Sequence, residues 1–523
     1  MLGIRRIIHK ARNIFGSLRY RMREAAFIRH NRKLWRDFQC NGTEAEILLE
    51  ATGIASSIVS CSYLANLLAK KHNAIIKAYI VVESKKKREE IYESFNAKVF
   101  HFSVSEAQRF DIEKLFDEVY PRLKTKQDVE ALKIDGVWIG DLVYDSHLRK
   151  HLVPTLHINN PQFRESLKDA LGHYLYWRNY LDGHNVKSVI VSHCVYYWYA
   201  IILRLAVERD IPVYQVNAQT LYYVTKSHCY RAYNDFFDYP QMFKELSKEK
   251  RTAGLKMAKE RLSQRFAGEA GVDMVYSTKS AYSKKQDKQV LAESPRIKIF
   301  IAPHCFFDSP HPYGINLFPD YYEWLTFLGK ISERTDYDWY IKTHPDFLPD
   351  NKGIIEGFIK RFPKFTFLPA DTSHHQIIED GINFALTVHG TIGFEYAALG
   401  VPVINASRCN PHIAYNFNIH PQSVAEYEKI LLDLPNQNIE IDINEVYEYY
   451  YCSFINNVDN WLYEDYHKFL EEIGGYYKQV GPISYKKFLE QFSQRKHKHI
   501  LRSLDNFVES REYCFRKKFL AFT

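Results

Sequence analysis

At 523 residues the chain exceeds what one ordinary core buries, so two or more domains are expected. Hydrophobic residues make up 46% and charged residues 25%, which excludes a disordered chain. The net charge of +8 is uneven: residues 1–36 hold eleven Lys/Arg against Glu24 alone, residues 484–523 hold ten against four acids, and the body between them is acidic, which excludes a nucleic-acid groove through the core.

The eight cysteines are scattered, with no CxxC pair and no zinc spacing, as in a reduced cytoplasmic protein. Residues 1–40 form a basic arm in which Leu2, Ile4, Ile7, Ile8, Ile14, Phe15 and Leu18 are interspersed with Arg and Lys. Without an uninterrupted apolar core, the arm is neither a signal peptide nor a spanning helix. It reads as an amphipathic helix on the anionic inner-membrane surface, the alternative being a solvated basic helix packed on the body. The expected location is cytoplasmic, peripheral on the inner face of the cytoplasmic membrane.

Residues 41–276 read as an N-terminal α/β domain on the acceptor side. Strands at 47–50, 74–82 and 98–102 alternate with helices near 58–71 and 85–95, the pattern of a parallel, doubly wound sheet. The first loop, TGIASSIVS, carries one glycine and is no dinucleotide fingerprint. At 136–150 the run GVWIGDLVYDSHLRK sets Asp141 and Asp145 around Tyr144, ahead of Arg149. Asp141 is a candidate base for an acceptor hydroxyl, while Asp145 reads as a helix cap or a partner of Arg149 and Lys150. A strand at 186–192 ends at His193, where a doubly wound sheet presents ligands, so His193 is a second acceptor-side candidate against the plain reading of a structural histidine. A long charged helix is expected over 241–264, then a polar linker over 277–290.

Residues 291–440 form a second α/β unit for the nucleotide. Its strands at 297–302, 339–342 and 384–388 end in His304, Asp308 and Ser309, in Lys342, His344 and Pro345, and in His389, Gly390, Thr391 and Glu395. The stretch 384–405, FALTVHGTIGFEYAALGVPVIN, reads strand, turn, helix, strand. Gly390 lets backbone approach a ligand, Thr391 caps a helix start facing an anion, and Glu395 suits a sugar hydroxyl pair. An ordinary strand-to-helix joint with a surface glutamate is the plain alternative. Residues 441–523 are aromatic-rich helices, read as packing, and the basic tail.

With KTHPD at 342–346, HGTIGFEYAALGVPVIN after it and the loop HCFFDSPHPYG ahead, residues 296–428 resemble a GT-B glycosyltransferase. The likeness is to the bacterial capsule and lipopolysaccharide transferases, which include those using CMP-linked 3-deoxy-manno-octulosonate (Kdo). The resemblance implies two Rossmann-like doubly wound domains facing a cleft. It also implies phosphate contacts at His344, Pro345, Gly390 and Thr391, and a ribose contact at Glu395. One departure is that Glu379, Asp380 and Gly381 follow the His-Pro pair, whereas in the bacterial sialyltransferases an acidic pair and glycine precede it.

The implied reaction moves a sugar from a nucleotide-sugar donor to a glycan or glycolipid acceptor, with no metal and no cofactor. Thr391, His344, His389 and Lys342 would neutralise the leaving group and Asp141 or His193 would activate the acceptor. Closure of the halves on the linker would exclude water. No nucleic-acid partner is expected. A polyol-phosphate transferase of the teichoic type, a non-hydrolysing sugar-nucleotide 2-epimerase and a non-catalytic assembly member remain the rival readings.

Overall fold

The computed structural model describes residues 20–38, 44–81, 86–228, 230, 234–274, 276–282, 289–344, 346, 350–456 and 461–520. Thus Pro345, the first 19 residues of the basic arm and part of the linker lie outside the described residues.

The first sheet holds β1 (Ala45–Glu50), β2 (Ile75–Ile80), β3 (Ala97–His101), β6 (Asn185–Val191), β7 (Val213–Val216) and β8 (Leu221–Val224). A small hairpin, β4 (Lys133–Ile134) with β5 (Val137–Trp138), stands apart. Strand order is β3-β2-β1-β6-β7-β8, parallel except for the antiparallel pair β7/β8 at the edge. Helices cover both faces, so every residue of β1 is buried, with Ile47 and Leu49 in one core and Leu48 in the other. This explains why the strand reads as an unbroken run and not as an alternation.

The second sheet is all parallel: β9 (Lys298–Ile301), β10 (Asp338–Ile341), β11 (Phe365–Phe367), β12 (Phe384–Thr387) and β13 (Val403–Asn405), in the order β11-β10-β9-β12-β13. Two doubly wound domains therefore face each other, the GT-B arrangement. Their strand orders reverse between β1 and β6 and between β9 and β12, and a doubly wound sheet binds ligands at such a point.

Some elements differ from the sequence expectation. The helix Pro161–Gly183 goes unpredicted, although Asn160 caps it and Pro161 opens it. The helix expected over 241–264 is two, Tyr239–Lys244 and Lys248–Phe266, separated where Ser247 caps the second. Segment packing also differs from the expected boundaries. Phe236, Tyr239, Phe243, Leu262 and Met274 share one core with Phe394, Tyr415 and Tyr449, so the chain joins the second domain well before residue 277. The last helices, Ile483–Glu490 and Gln494–Ser510, return to the first domain and pack on the helix Ala55–His72. Among the described residues no helix is long and apolar enough to cross a membrane.

Candidate active site

A cavity of about 570 Å³ opens between the facing strand ends. His304, Asp308, Lys342, His344, His389, Gly390, Thr391 and Glu395 line it from the second domain and Arg149 from the first. Eight of the sequence candidates are thus brought together; Asp141, His193 and Ser309 do not line the cavity.

Lys342 is buried at the end of β10, and among the described residues its ammonium makes one hydrogen bond, to the Ala370 carbonyl at 3.3 Å. Burial pulls its pKa down to about 8 against the opposing pull of Glu395 and Asp371. His344 accepts the Asp346 N–H on Nδ1 at 3.1 Å, which leaves Nε2–H as a donor. Asp346 holds the linker, accepting the Thr278 N–H at 2.9 Å and hydroxyl at 2.6 Å.

The turn after β12 needs glycine at 390: a Cβ there would stand 2.8 Å from the Thr387 hydroxyl. His304 accepts the His389 N–H on Nε2 at 3.2 Å, so its own proton sits on Nδ1. Tyr321 spends its hydroxyl proton on the Ser309 carbonyl at 2.7 Å, so His389 Nε2–H donates to the Tyr321 oxygen at 2.9 Å and Nδ1 keeps a lone pair. Burial lowers the pKa of both rings, His389 to about 4, so both are neutral at pH 7.

Thr391 does not cap the helix Ile392–Ala398 with its side chain. Its hydroxyl instead bonds Glu395, one turn on. Nor does Glu395 stand open to a ribose as the sequence reading has it. Arg265 donates to Oε1 at 2.5 Å from Nη2 and Tyr282 donates to Oε2 at 2.7 Å. Burial works against the carboxylate, yet Arg265, Tyr282 and Thr391 outweigh it and hold the pKa below the usual range. Glu395 therefore fastens Arg265 and the linker's Tyr282 beside the cavity. Neither partner was legible, because both lie more than a hundred residues upstream.

The acceptor-side expectations need correction. Asp141 is buried with both oxygens on Arg204, each at 2.6 Å, an internal ion pair that does not line the cavity. His193 accepts the N–H groups of Cys194 and Val195 on Nδ1 at 3.1 and 3.2 Å. The neutral ring then carries its proton on Nε2 and offers a donor, not a base. Ser309 bonds Asp145 across the domain interface and not the cavity. Asp145 is neither a cap nor a partner of Arg149: it receives His311 Nδ1 at 2.6 Å, while His311 Nε2 meets Glu130 at 2.9 Å.

Like Glu269 and Asp346, Asp308 does face the cleft. Its Oδ1 accepts the Tyr196 hydroxyl and the Ser309 N–H, both at 2.9 Å, and among the described residues Oδ2 has no partner. Tyr196 reaches over from the first domain with φ 68° and ψ 143°, a backbone region open essentially to glycine alone. That strain costs on the order of 1–3 kcal/mol and marks a position that the surroundings over-determine. Sequence reasoning missed Tyr196 because a tyrosine opening an apolar helix has no local signature. Arg149 has no acidic partner among the described residues.

No family model matches the chain, and no curated protein matches it. Among solved structures, a putative UDP-N-acetylglucosamine 2-epimerase from Listeria monocytogenes aligns at 11% identity over 90% of this chain and 98% of its own, with a TM-score of 0.24. The wall teichoic acid polymerase TagF aligns at 11% identity over 94% of this chain and 98% of its own, TM-score 0.20. A sialyltransferase GT-B domain from Photobacterium damselae aligns at 11% over 74% and 95%, TM-score 0.16. Scores this low carry no argument, and the fold rests on the strand orders given above.

Proposed function

We propose that the protein is a glycosyltransferase that moves a sugar from a nucleotide-activated donor to a growing surface polysaccharide or lipid-linked glycan, at the inner face of the cytoplasmic membrane. The observation that carries the reading is Lys342, a buried ammonium with one hydrogen bond among the described residues, at the wall of a cavity between facing strand ends. A charge so placed calls for an anion, and a donor phosphate supplies one.

Asp308 Oδ2 takes the proton of the acceptor hydroxyl in place of Asp141. The acceptor oxygen then bonds to the anomeric carbon as the bond from that carbon to the phosphate oxygen breaks. The phosphate leaves with the electron pair and comes to rest against Lys342, with His344 Nε2–H as a further donor. On the strength of KTHPD and HGTIGFEYAALGVPVIN, CMP-linked Kdo is the first donor to try. A thermal-shift screen against CMP, UDP, GDP, ADP and CDP compounds tests the reading. Stabilisation by one nucleotide family is expected, and stabilisation by none overturns it.

A second reading has its own observation in favour. Asp308, His304 and His389 line the cleft from one domain and Tyr196 of the other donates to Asp308, and an acid and two histidines around one cavity suit a sugar-nucleotide 2-epimerase. Proton NMR of a nucleotide sugar incubated with the protein separates the two. A new C2 epimer without acceptor means the epimerase; nucleotide release that needs an acceptor means the transferase.

A further inference from the structure

Two helical segments from opposite ends of the chain pack together through their apolar sides, and each turns cations to solvent. The helix over residues 20–34 packs its apolar side on the last helices: Phe27 stacks on Tyr485 at 4.2 Å, His30 meets Phe492 edge-on at 4.4 Å, and Trp35 meets His497 at 5.4 Å. Its solvent side then carries Arg29, Arg32, Lys33 and Arg36, all exposed at helical spacing. The helix Gln494–Ser510 repeats the plan, with His497, Ile500, Leu504 and Phe507 buried and Arg495, Lys498 and Arg502 exposed. None of these seven cations has an acidic partner among the described residues. Glu24 on the first helix is buried, Asp37 is exposed next to the stripe, and the accessible acids on the partner helices are engaged, Glu490 by Lys486 and Asp505 and Glu509 by Lys71.

Apolar surface adjoins the charge. Met22, Ala26 and Leu489 line an open groove of about 580 Å³ together with Arg23, Lys486 and Glu490, the last two paired at 3.3 Å, which leaves Arg23 as the groove's cation without a carboxylate partner among the described residues. Met22 is 61% exposed and Tyr20 49%. Cations around an exposed methionine and tyrosine suit an anionic bilayer, whose phosphates take the charges while the apolar groups enter the interface. A nucleic acid would meet the same cations but gain nothing from the exposed Met22 and Tyr20.

We propose that this face, Tyr20 to Arg36 with Arg495, Lys498 and Arg502, docks on an anionic lipid bilayer. The inference rests on the peripheral location proposed above and not on the transfer chemistry. Co-sedimentation of the full chain with phosphatidylglycerol/phosphatidylcholine vesicles tests it, with pure phosphatidylcholine alongside. Binding to the anionic vesicles alone is expected. The triple variant Arg29→Glu, Arg32→Glu, Arg36→Glu should weaken it about tenfold or more, with its melting temperature and its nucleotide-induced shift unchanged. Met22→Ser should weaken it about threefold. Equal binding by the triple variant overturns the face while leaving the location standing. Failure of the wild type on anionic vesicles, or binding to an RNA oligomer instead, overturns both. The nucleotide shift, read without vesicles, judges the transferase separately.

Discussion

In the proposed transfer, Lys342 and Asp308 divide the chemistry between them. Because burial brings the Lys342 pKa to about 8, the ammonium that would hold a phosphate is lost within an accessible pH range. A bound anion favours the charged form, so nucleotide affinity should be level from about pH 6.5 to 7.5 and fall as pH climbs through about 8. Lys342→Gln should show weak binding with no such step, which titrations across pH would reveal. Asp308→Asn should leave nucleotide stabilisation intact and cut turnover by roughly 10²–10⁴, the usual weight of a general base. At this scale the gathering of Lys342, His389 and Gly390 at one cavity was legible, since they follow directly from the ends of apolar runs. The base was not: Asp141 follows a strand in sequence, but its carboxylate turns inward to Arg204, a partner no local pattern announces.

The turn after β12 and the loop after β9 act as one unit. His304 accepts from the His389 backbone, and Gly390 leaves room for Thr387 and His304 beneath it. Gly390→Ala forces a Cβ into that contact. It should therefore displace the turn, costing about 1–3 kcal/mol in urea unfolding and lowering nucleotide affinity in parallel. The parallel strands were readable because sheets covered on both faces leave continuous apolar runs. Helix limits were less so: the break before Lys248 depends on the single cap at Ser247, and Pro161–Gly183 carried its start signal in an Asn-Pro pair that the pass along the chain left unused.

Across the whole molecule, the two domains meet through buried polar groups. His311 of the second domain lies between Asp145 and Glu130 of the first, and Asp320 accepts from Tyr144 and Thr155, each at 2.6 Å. Burial opposes the charge on His311, and the two carboxylates overcome it, raising its pKa well above the ordinary 6.5. A raised pKa contributes stability that is fully present below about 6.5 and lost as pH rises through the folded value. Unfolding free energy should thus decline on the alkaline side. His311→Ala should abolish that dependence and cost about 3–5 kcal/mol by leaving two buried carboxylates unpaired. Two α/β halves were visible in the alternation of elements. The return of the last helices to the first domain was not, because packing between distant segments leaves no periodic trace. The central claim is that this cleft holds a nucleotide through Lys342. Calorimetric titration of the wild type and Lys342→Gln with CMP, UDP, GDP, ADP and CDP tests it most directly. One nucleotide should bind the wild type and bind the variant about tenfold more weakly or worse; binding of none, or equal binding by both proteins, would contradict the account.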